Sequence, residues 1–229
     1  MAITSLQKIT DSSYIVFFDL DHTLTGKISG RLLGAGAFRK GILSPATILK
    51  ALLLQLLYSL KLLDPLKTMN EMMLWMKNLS EEAAESLCED VVRRSVLPSI
   101  FPEALDEIKM HKSNGAFTVI LSSSIRPVCS VVSEALNIED VICTELEVSN
   151  GHYTGKPVGS FCYGDEKAER MKSYCEKNNK SLQNAWYYGD SLSDLPVLRI
   201  AGNPVCVNPC KKLEKLAKAE KWTVKYWGK

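Results

Sequence analysis

The chain of 229 residues carries a formal net charge of +2, with 46% hydrophobic and 24% charged residues. This composition is ordinary for a soluble globular protein, and the length suits one moderate domain or a domain with an insertion. No basic run with interleaved aromatic residues is present, so we expect no nucleic-acid partner. The seven cysteines form no Cys-x-x-Cys pair, which favours reduced thiols over a disulfide framework. Residues 1–13 lack the apolar segment of a secretory signal, so we expect a cytoplasmic protein.

The first predicted element is a strand over Tyr14–Phe18, a run of β-branched and aromatic residues. A run that is apolar on both faces is typical of a fully buried parallel strand. Two carboxylates follow it, Asp19 and Asp21, and then His22. Acids at the end of a buried strand are costly unless they are paired, and a divalent cation with oxygen ligands is a suitable partner. The alternative is that the two acids only end the strand and lie in a solvated turn.

A long region with helical patterning and no convincing strand comes next, over residues 26–97. Its beginning is rich in glycine, and the periodicity predicts helices at residues 45–63, 66–78 and 80–94. The last of these helices has Ser80 as a suitable N-cap and two glutamates in its first turn, where acidic side chains interact favourably with the helix dipole.

Within this region, residues 42–63 are rich in leucine but are interrupted by Lys50, Gln55 and Lys61. The uninterrupted apolar runs are shorter than the roughly 20 residues that span a bilayer. We expect a buried helix with its lysine stems along the edge. Contact with a membrane surface is the alternative.

From Pro98 onward, helices and strands alternate. Helices are predicted at residues 102–113, from about 127, and at 165–178, 194–200 and 211–221. Strands are predicted at residues 117–121, 141–144, 185–188, 204–207 and 223–226, with a hairpin turn at Asn150-Gly151. Alternation of this kind implies right-handed crossovers and a parallel sheet covered on both faces. We therefore predict an α/β fold, with a Rossmann-like core over residues 1–25 and 98–229 and a helical cap over residues 26–97.

Three of the predicted strands end in residues that can carry chemistry. The first ends in the two acids already described, the second in Ser122, and a later one in Asp190, with Asp194 four residues on. Lys167 lies at the start of a helix. Ser122 or Asp190 alone could cap a helix, and Lys167 alone could be a solvated surface lysine. Together they are expected to meet at the carboxyl edge of the sheet, where open α/β sheets bind ligands.

This pattern resembles the haloacid dehalogenase superfamily of phosphohydrolases. Its Asp-x-Asp-x-Thr-Leu motif stands at residues 19–24, and its strand ending in Ser or Thr stands at Ser122. Its lysine is matched by Lys167, and its Gly-Asp-x-x-x-Asp motif stands at residues 189–194. The motifs occur in order over nearly the whole chain, and the helical insertion after the first motif is similar to that of the phosphoserine phosphatase-like subfamily.

The resemblance implies phosphomonoester hydrolysis through a covalent intermediate. Asp19 would attack phosphorus and form an aspartyl-phosphate. Asp21 would protonate the leaving oxygen and then deprotonate the attacking water. His22 is expected to position the backbone or to face solvent, with contact to the leaving group as the alternative.

The resemblance also implies a Mg²⁺ ion held by Asp19, the backbone carbonyl of Asp21 and Asp190. Asp194 would orient the waters of the metal or Lys167 from outside the ligand set. The phosphoryl oxygens would be bound by Ser122, Ser123 and Lys167.

We expect a small phosphorylated substrate. Phosphoserine phosphatases place a glutamate soon after the first motif, whereas here the next acid after Asp21 is Asp64. The intervening stretch is basic and leucine-rich, which suits an acidic or partly apolar leaving group better than phosphoserine. Three alternatives stay open: a phosphoserine phosphatase proper, a phosphotransferase with an alcohol as acceptor, and a non-catalytic membrane-surface or scaffold protein.

Overall fold

The computed structural model describes residues 9, 12–60 and 62–228, apart from the side chains of residues 58 and 59. The strands are β1 Tyr14–Phe18, β2 Ala116–Ile125, β3 Asp140–Thr144, β4 Leu146–Ser149, β5 His152–Pro157, β6 Trp186–Gly189, β7 Asn203–Val207 and β8 Thr223–Lys225. The helices are α1 Ser29–Arg39, α2 Pro45–Ser59, α3 Pro65–Met73, α4 Glu81–Val91, α5 Pro102–Ser113, α6 Arg126–Leu136, α7 Asp165–Lys177, α8 Leu195–Ile200 and α9 Lys211–Ala219. The predicted core includes residues 1–8, 10 and 11, and the predicted leucine-rich helix includes Lys61. These residues lie outside the described part of the chain.

A six-stranded sheet in the order β3-β2-β1-β6-β7-β8 forms the centre of the described chain, and its neighbouring strands are parallel. Strand β1 lies in the middle, and its residues pack alternately into two cores. Ile15 and Phe17 belong to one core, whereas Val16 and Phe18 belong to the other. The predicted α/β fold, with a helical insertion after the first strand, is therefore confirmed. The strand is apolar on both faces because helices cover both sides of the sheet.

The helical insertion contains a helix that the sequence analysis did not predict. Helix α1 begins at Ser29 and includes three glycines, which lower helix propensity. Gly36 is required by packing, because a Cβ atom there would lie 2.2 Å from Cγ2 of Val91 on α4. The close approach of α1 and α4 therefore compensates for a weak local signal.

The leucine-rich helix differs from its predicted form in two ways. Helix α2 ends at Ser59 rather than at residue 63, and the expectation that it is buried is wrong. Leu49, Leu52 and Leu53 on this helix are 68%, 61% and 55% exposed. In the part of the chain that the structure describes, we find no helix long and apolar enough to cross a membrane.

Strands β4 and β5 form a separate hairpin, and its turn is the predicted one. Asn150 and Gly151 both have positive φ angles, of 51° and 73°, as the type I′ turn requires. The amides of Asn78 and Tyr153 donate to the carbonyls of Tyr153 and Leu79, respectively. The hairpin is thereby joined to the segment before α4. The division into a core and a cap at residues 26–97 stays a prediction.

His111 on α5 lies in a buried polar network beneath the sheet. Its Nε2 is 2.7 Å from the hydroxyl of Tyr188, which itself donates to Glu107 at 2.6 Å. Since that hydroxyl proton is committed to the carboxylate, Nε2 must carry the proton that joins His111 to Tyr188. Nδ1 then accepts from the hydroxyl of Tyr14 at 3.0 Å. Burial lowers the pKa of His111 from 6.5 to about 4.

This network predicts a loss of stability in acid. Because the pKa of His111 is depressed by folding, its stabilising contribution is complete above about pH 6.5 and is lost as the pH falls towards 4. The loss in unfolding free energy is about 3 kcal/mol. Urea titrations over this range should show that the unfolding free energy of His111→Gln depends less on pH than that of the unchanged protein. The exposed control His152→Gln should follow the unchanged protein. Parallel curves for all three would contradict the assignment.

Candidate active site

The carboxyl ends of β1 and β6 bring the first and last motifs together. Phe18 pairs with Tyr188 in the sheet, and the amide of Asp19 donates to the carbonyl of Tyr188 at 2.9 Å. Asp190 follows Gly189, the last residue of β6. A side chain at Gly189 would be crowded, since its Cβ atom would lie 2.7 Å from the ring of Tyr187. The sheet register therefore places both acids at one edge.

Lys167, in the first turn of α7, is almost fully buried, with 3% of its surface exposed. Its Nζ donates to Oδ1 of Asp19 at 2.9 Å and to Oδ1 of Asp194 at 2.8 Å. The hydroxyl of Tyr187 also donates to Asp194, at 2.6 Å. A buried ammonium is costly unless it is paired and hydrogen-bonded, and the two carboxylates meet that need. Lys167 thus holds Asp19 in place with a positive charge.

The carboxylates of this cluster are not equivalent. Burial raises the pKa of Asp19 to about 7, against the opposing attraction of Lys167. Burial, together with the charges of Asp19 and Asp194, raises the pKa of Asp190 to about 8. Burial alone would also raise the pKa of Asp194, but Lys167, Tyr187 and Ser191 hold it below its usual value. Asp194 is therefore the permanent partner of Lys167, and the other two acids carry the excess negative charge.

The excess negative charge fits a divalent metal. One oxygen from each of Asp19, Asp190 and Asp194 lies within 4.8 Å of the others. A hard cation such as Mg²⁺ prefers an all-oxygen set and usually binds proteins through one or two carboxylates. The side chain of Asp21 is not part of this cluster.

Asp21 faces the helical insertion instead. Its Oδ1 accepts from the backbone amide of Ser29 at 2.9 Å, at the start of α1. Burial raises the pKa of Asp21, opposed by this bond to Ser29. The Ser29 hydroxyl is 3.0 Å from that of Ser124. The sequence analysis missed Ser29, since a serine in a glycine-rich stretch has no signal of its own.

Ser122 lies at the same edge of the sheet, although β2 does not end there. The strand continues to Ile125 with a register shift after Leu121. Ser122 is buried, and its hydroxyl accepts from the amide of Ser124 at 3.3 Å. Since Phe18 pairs with Ile120, Ser122 lies beside the chain that leaves β1. Among the described residues, its hydroxyl is hydrogen-bonded to Ser124 and not to Asp19 or Lys167.

A cavity of about 880 Å³ extends from this edge into the helical insertion, with Asp21, Ser123 and Ser124 in its wall. His22 is exposed and has a φ angle of 61°, so it lies in solvent on a strained backbone. The buried hydroxyl of Thr23 has no hydrogen-bond partner among the described residues. The predicted residues thus divide into a charged cluster around Lys167 and a hydroxyl-lined entrance beside Asp21.

Comparison with known proteins agrees with this geometry. The family model for haloacid dehalogenase-like hydrolases matches residues 16–199. A probable phosphatase of Mycobacterium tuberculosis is 30% identical over 212 residues, covering 91% of this chain and 73% of the relative. A phosphoserine phosphatase of the same organism is 22% identical over 219 residues, covering 94% and 71%.

Two solved structures share the fold. A protein of unknown function from Bordetella pertussis has a TM-score of 0.85 at 23% identity, covering 93% of this chain and 98% of that one. A phosphoserine phosphatase solved as an analogue of its phospho-aspartyl intermediate has a TM-score of 0.68 at 16% identity, covering 94% and 93%. Since the family model spans most of the chain, this protein belongs to the haloacid dehalogenase-like hydrolase family, and it is a phosphatase.

Proposed function

We propose that the protein is a Mg²⁺-dependent phosphomonoester hydrolase that works through a phosphorylated Asp19. The observation that carries this proposal is the placement of Asp19 between a buried lysine and a cluster of carboxylates. A carboxylate held in this way is a fixed nucleophile. The carboxylates around Asp19 repel one another and repel a phosphate dianion. A bound cation would reduce both repulsions.

The reaction has two steps. In the first, a carboxylate oxygen of Asp19 attacks phosphorus, the ester bond breaks, and Asp21 gives its proton to the leaving oxygen. The raised pKa of Asp21 suits this role, because a general acid must hold its proton near neutral pH. In the second step, Asp21 takes a proton from water, the hydroxide attacks phosphorus, and the bond to Asp19 breaks. Inorganic phosphate and the free carboxylate result.

The other predicted residues bind rather than react. Asp19, Asp190 and the backbone carbonyl of Asp21 would hold Mg²⁺, whose charge would offset the repulsion between these acids and the phosphate dianion. Lys167 offers its charge to the non-attacking phosphoryl oxygens, and Asp194 keeps Lys167 in position. The phosphoryl oxygens would also be bound by the hydroxyls of Ser122 and Ser123.

Hydrolysis of p-nitrophenyl phosphate, with Mg²⁺ or with EDTA, tests the proposal. We expect turnover only with the metal. In Asp21→Asn, the good leaving group needs little protonation, whereas hydrolysis of the intermediate still needs a base. The variant should therefore release a burst of p-nitrophenol and accumulate one acid-stable phosphate per chain on Asp19. Turnover in EDTA, or a variant without bound phosphate, would contradict the mechanism. Methanol in the assay would reveal transfer to an alcohol as methyl phosphate.

The cluster also predicts how metal and pH act together on stability. Because folding raises the pKa of Asp19 and Asp190 from 3.8 to about 7 and about 8, the metal-free protein loses stability as the pH rises from the lower value up to the raised ones. Mg²⁺ binds the ionised carboxylates, so it should raise the melting temperature more at about pH 8.5 than at about pH 6. Calorimetry measures both increments. In Asp190→Asn, the rise in melting temperature that Mg²⁺ causes should be smaller at both pH values. An equal rise at the two pH values in the unchanged protein would contradict metal binding by the ionised carboxylates.

A further inference from the structure

The wall of the 880 Å³ cavity is mostly apolar. Beyond the entrance at Asp21 and Ser123, it is formed by side chains such as Leu33, Ile48, Met72 and Trp75. Its volume is in the upper part of the range of about 300–1,000 Å³ found for ligand sites. The phosphate of a substrate bound at Asp19 would therefore carry its organic group into a hydrophobic space.

The charges around this cavity disfavour a zwitterionic leaving group. Among the described residues, Asp21 is the only acid in its wall, whereas Arg31 and Arg39 both line it. A substrate ammonium group would enter an apolar space with no carboxylate to pair with it except the general acid itself, which is costly. An amino acid phosphate is thus a poor match, and a hydrocarbon group is a good one.

The outer surface of α2 exposes several leucine side chains. Leu49, Leu53 and Leu60 are 68%, 55% and 58% exposed, and Leu52, which is 61% exposed, also lines the cavity. Their spacing of three, four and seven residues places them on one side of the helix, with Leu60 directly after its last residue. We call Leu49, Leu52, Leu53, Leu56 and Leu60 the leucine face. Because Leu52 belongs to both surfaces, the cavity opens beside an exposed apolar face.

The charges near the leucine face suit an anionic lipid surface. The sequence has no acid between Asp21 and Asp64. In the described part of the chain, Lys50 on α2 is paired with Glu71 at 2.7 Å. Arg31 instead donates to the neutral side chain of Gln55 on α2, and no described carboxylate lies within ion-pair distance of Arg31 or Arg39. Binding at a membrane interface depends on the apolar area that is buried and on attraction to anionic lipids, and an exposed leucine face beside arginines provides both.

We infer that the substrate is a phosphomonoester with a long hydrocarbon chain, which the cavity takes up from a lipid surface in contact with the leucine face. This inference rests on the proposed phosphatase reaction and names its substrate class. The hydrocarbon chain of the substrate occupies the cavity from Asp21 inward, and its phosphate lies at Asp19.

A series of n-alkyl monophosphates of about 4, 8 and 12 carbons tests the cavity, with p-nitrophenyl phosphate as the reference. We expect kcat/KM to rise about two- to fourfold per methylene until the chain fills the space. A flat series beside active p-nitrophenyl phosphate turnover would overturn the inference and leave the proposed function intact. Inactivity towards every ester in Mg²⁺ would overturn both.

Gly34 provides a direct way to fill the cavity. It lies in the wall, and a Cβ atom there would meet nothing within 4 Å. Gly34→Phe should therefore lower the ratio of dodecyl to butyl phosphate turnover at least tenfold, whereas Gly34→Ala, which adds one methyl group, should change this ratio little. The melting temperature should not fall, since alanine and phenylalanine are both better helix formers than glycine. An unchanged ratio in Gly34→Phe would overturn the inference.

Uptake of the substrate from a lipid surface is tested with dioleoyl phosphatidic acid in phosphatidylcholine vesicles. Leu49→Gln/Leu53→Gln should lose at least tenfold in vesicle turnover and in vesicle co-sedimentation, while hydrolysis of dodecyl phosphate in solution continues. The matched control is Leu105→Gln/Met110→Gln, which changes two exposed side chains of α5. Equal vesicle turnover by both double variants would show uptake from solution and overturn the role of the leucine face. A dimer in solution that Leu49→Gln/Leu53→Gln dissociates would also overturn it.

Discussion

Replacing Asp19 by Asn should reduce phosphomonoester turnover by about 10⁴-fold or more, the largest effect that we expect from any single substitution. An amide oxygen is a poor nucleophile and cannot form the acyl phosphate. The change also removes one of the three acids that meet at the cluster. Single-turnover measurements with p-nitrophenyl phosphate should show neither a burst nor phosphate bound to the protein.

The fold should survive this change. Asn has the shape of Asp, and Lys167 keeps its bond to Asp194 at 2.8 Å. Removing one carboxylate also relieves the repulsion among Asp19, Asp190 and Asp194 that raises the pKa of Asp190. The exposed control Asp106→Asn should retain full activity. If Asp19→Asn kept more than about a hundredth of the turnover, the nucleophile would have to be another group.

Replacing Lys167 by Met should affect both stability and activity. Asp19 and Asp194 would then be buried without their shared cation, and breaking a buried ion pair by removing one partner costs about 3–5 kcal/mol of unfolding free energy. Turnover should fall by about 10³-fold, because the positive charge near the phosphoryl oxygens is lost. Urea unfolding and steady-state kinetics measure the two effects separately.

The pH dependence separates this role of Lys167 from simple packing. Without the lysine, the pKa of Asp19 and of Asp194 should rise, since Lys167 opposes the effect of burial at both. The loss of stability should therefore be larger at about pH 8 than at about pH 6, where protonation relieves the buried charges. Lys172→Met, on an exposed position of the same helix, is the control. A loss that does not vary with pH would argue that Lys167 acts through its volume alone.

Local sequence patterns were sufficient to predict most of the sheet. The strand Tyr14–Phe18 and the helix Pro102–Ser113 were predicted with the bounds that the structure shows. Both have strong local signals: an apolar run that ends in acids, and a proline at the first helical position. The hairpin turn at Asn150-Gly151 was predictable for the same reason, because few residues adopt two successive positive φ angles.

Predictions failed where packing overrides local preference. Helix α1 was missed because its glycines disfavour a helix, yet Gly36 is what lets α1 approach Val91 so closely. The leucine-rich helix was expected to be buried, since its composition is the same whether leucines face a core or solvent. The structure leaves Leu49 and Leu53 exposed, because α2 turns its other side, with Ile48 and Ala51, towards the cavity.

The sequence by itself determined that the chain resembles the haloacid dehalogenase superfamily, and it was sufficient to predict Asp19, Asp21, Lys167 and Asp190 as one motif set, since their order and spacing are visible without coordinates. Only the tertiary structure decided that Lys167 lies between Asp19 and Asp194, and that an apolar cavity leads away from Asp21. The reason is physical. Charge pairing over 148 residues of separation and a space between helices both depend on how the elements pack, and neither leaves a periodic trace in the sequence.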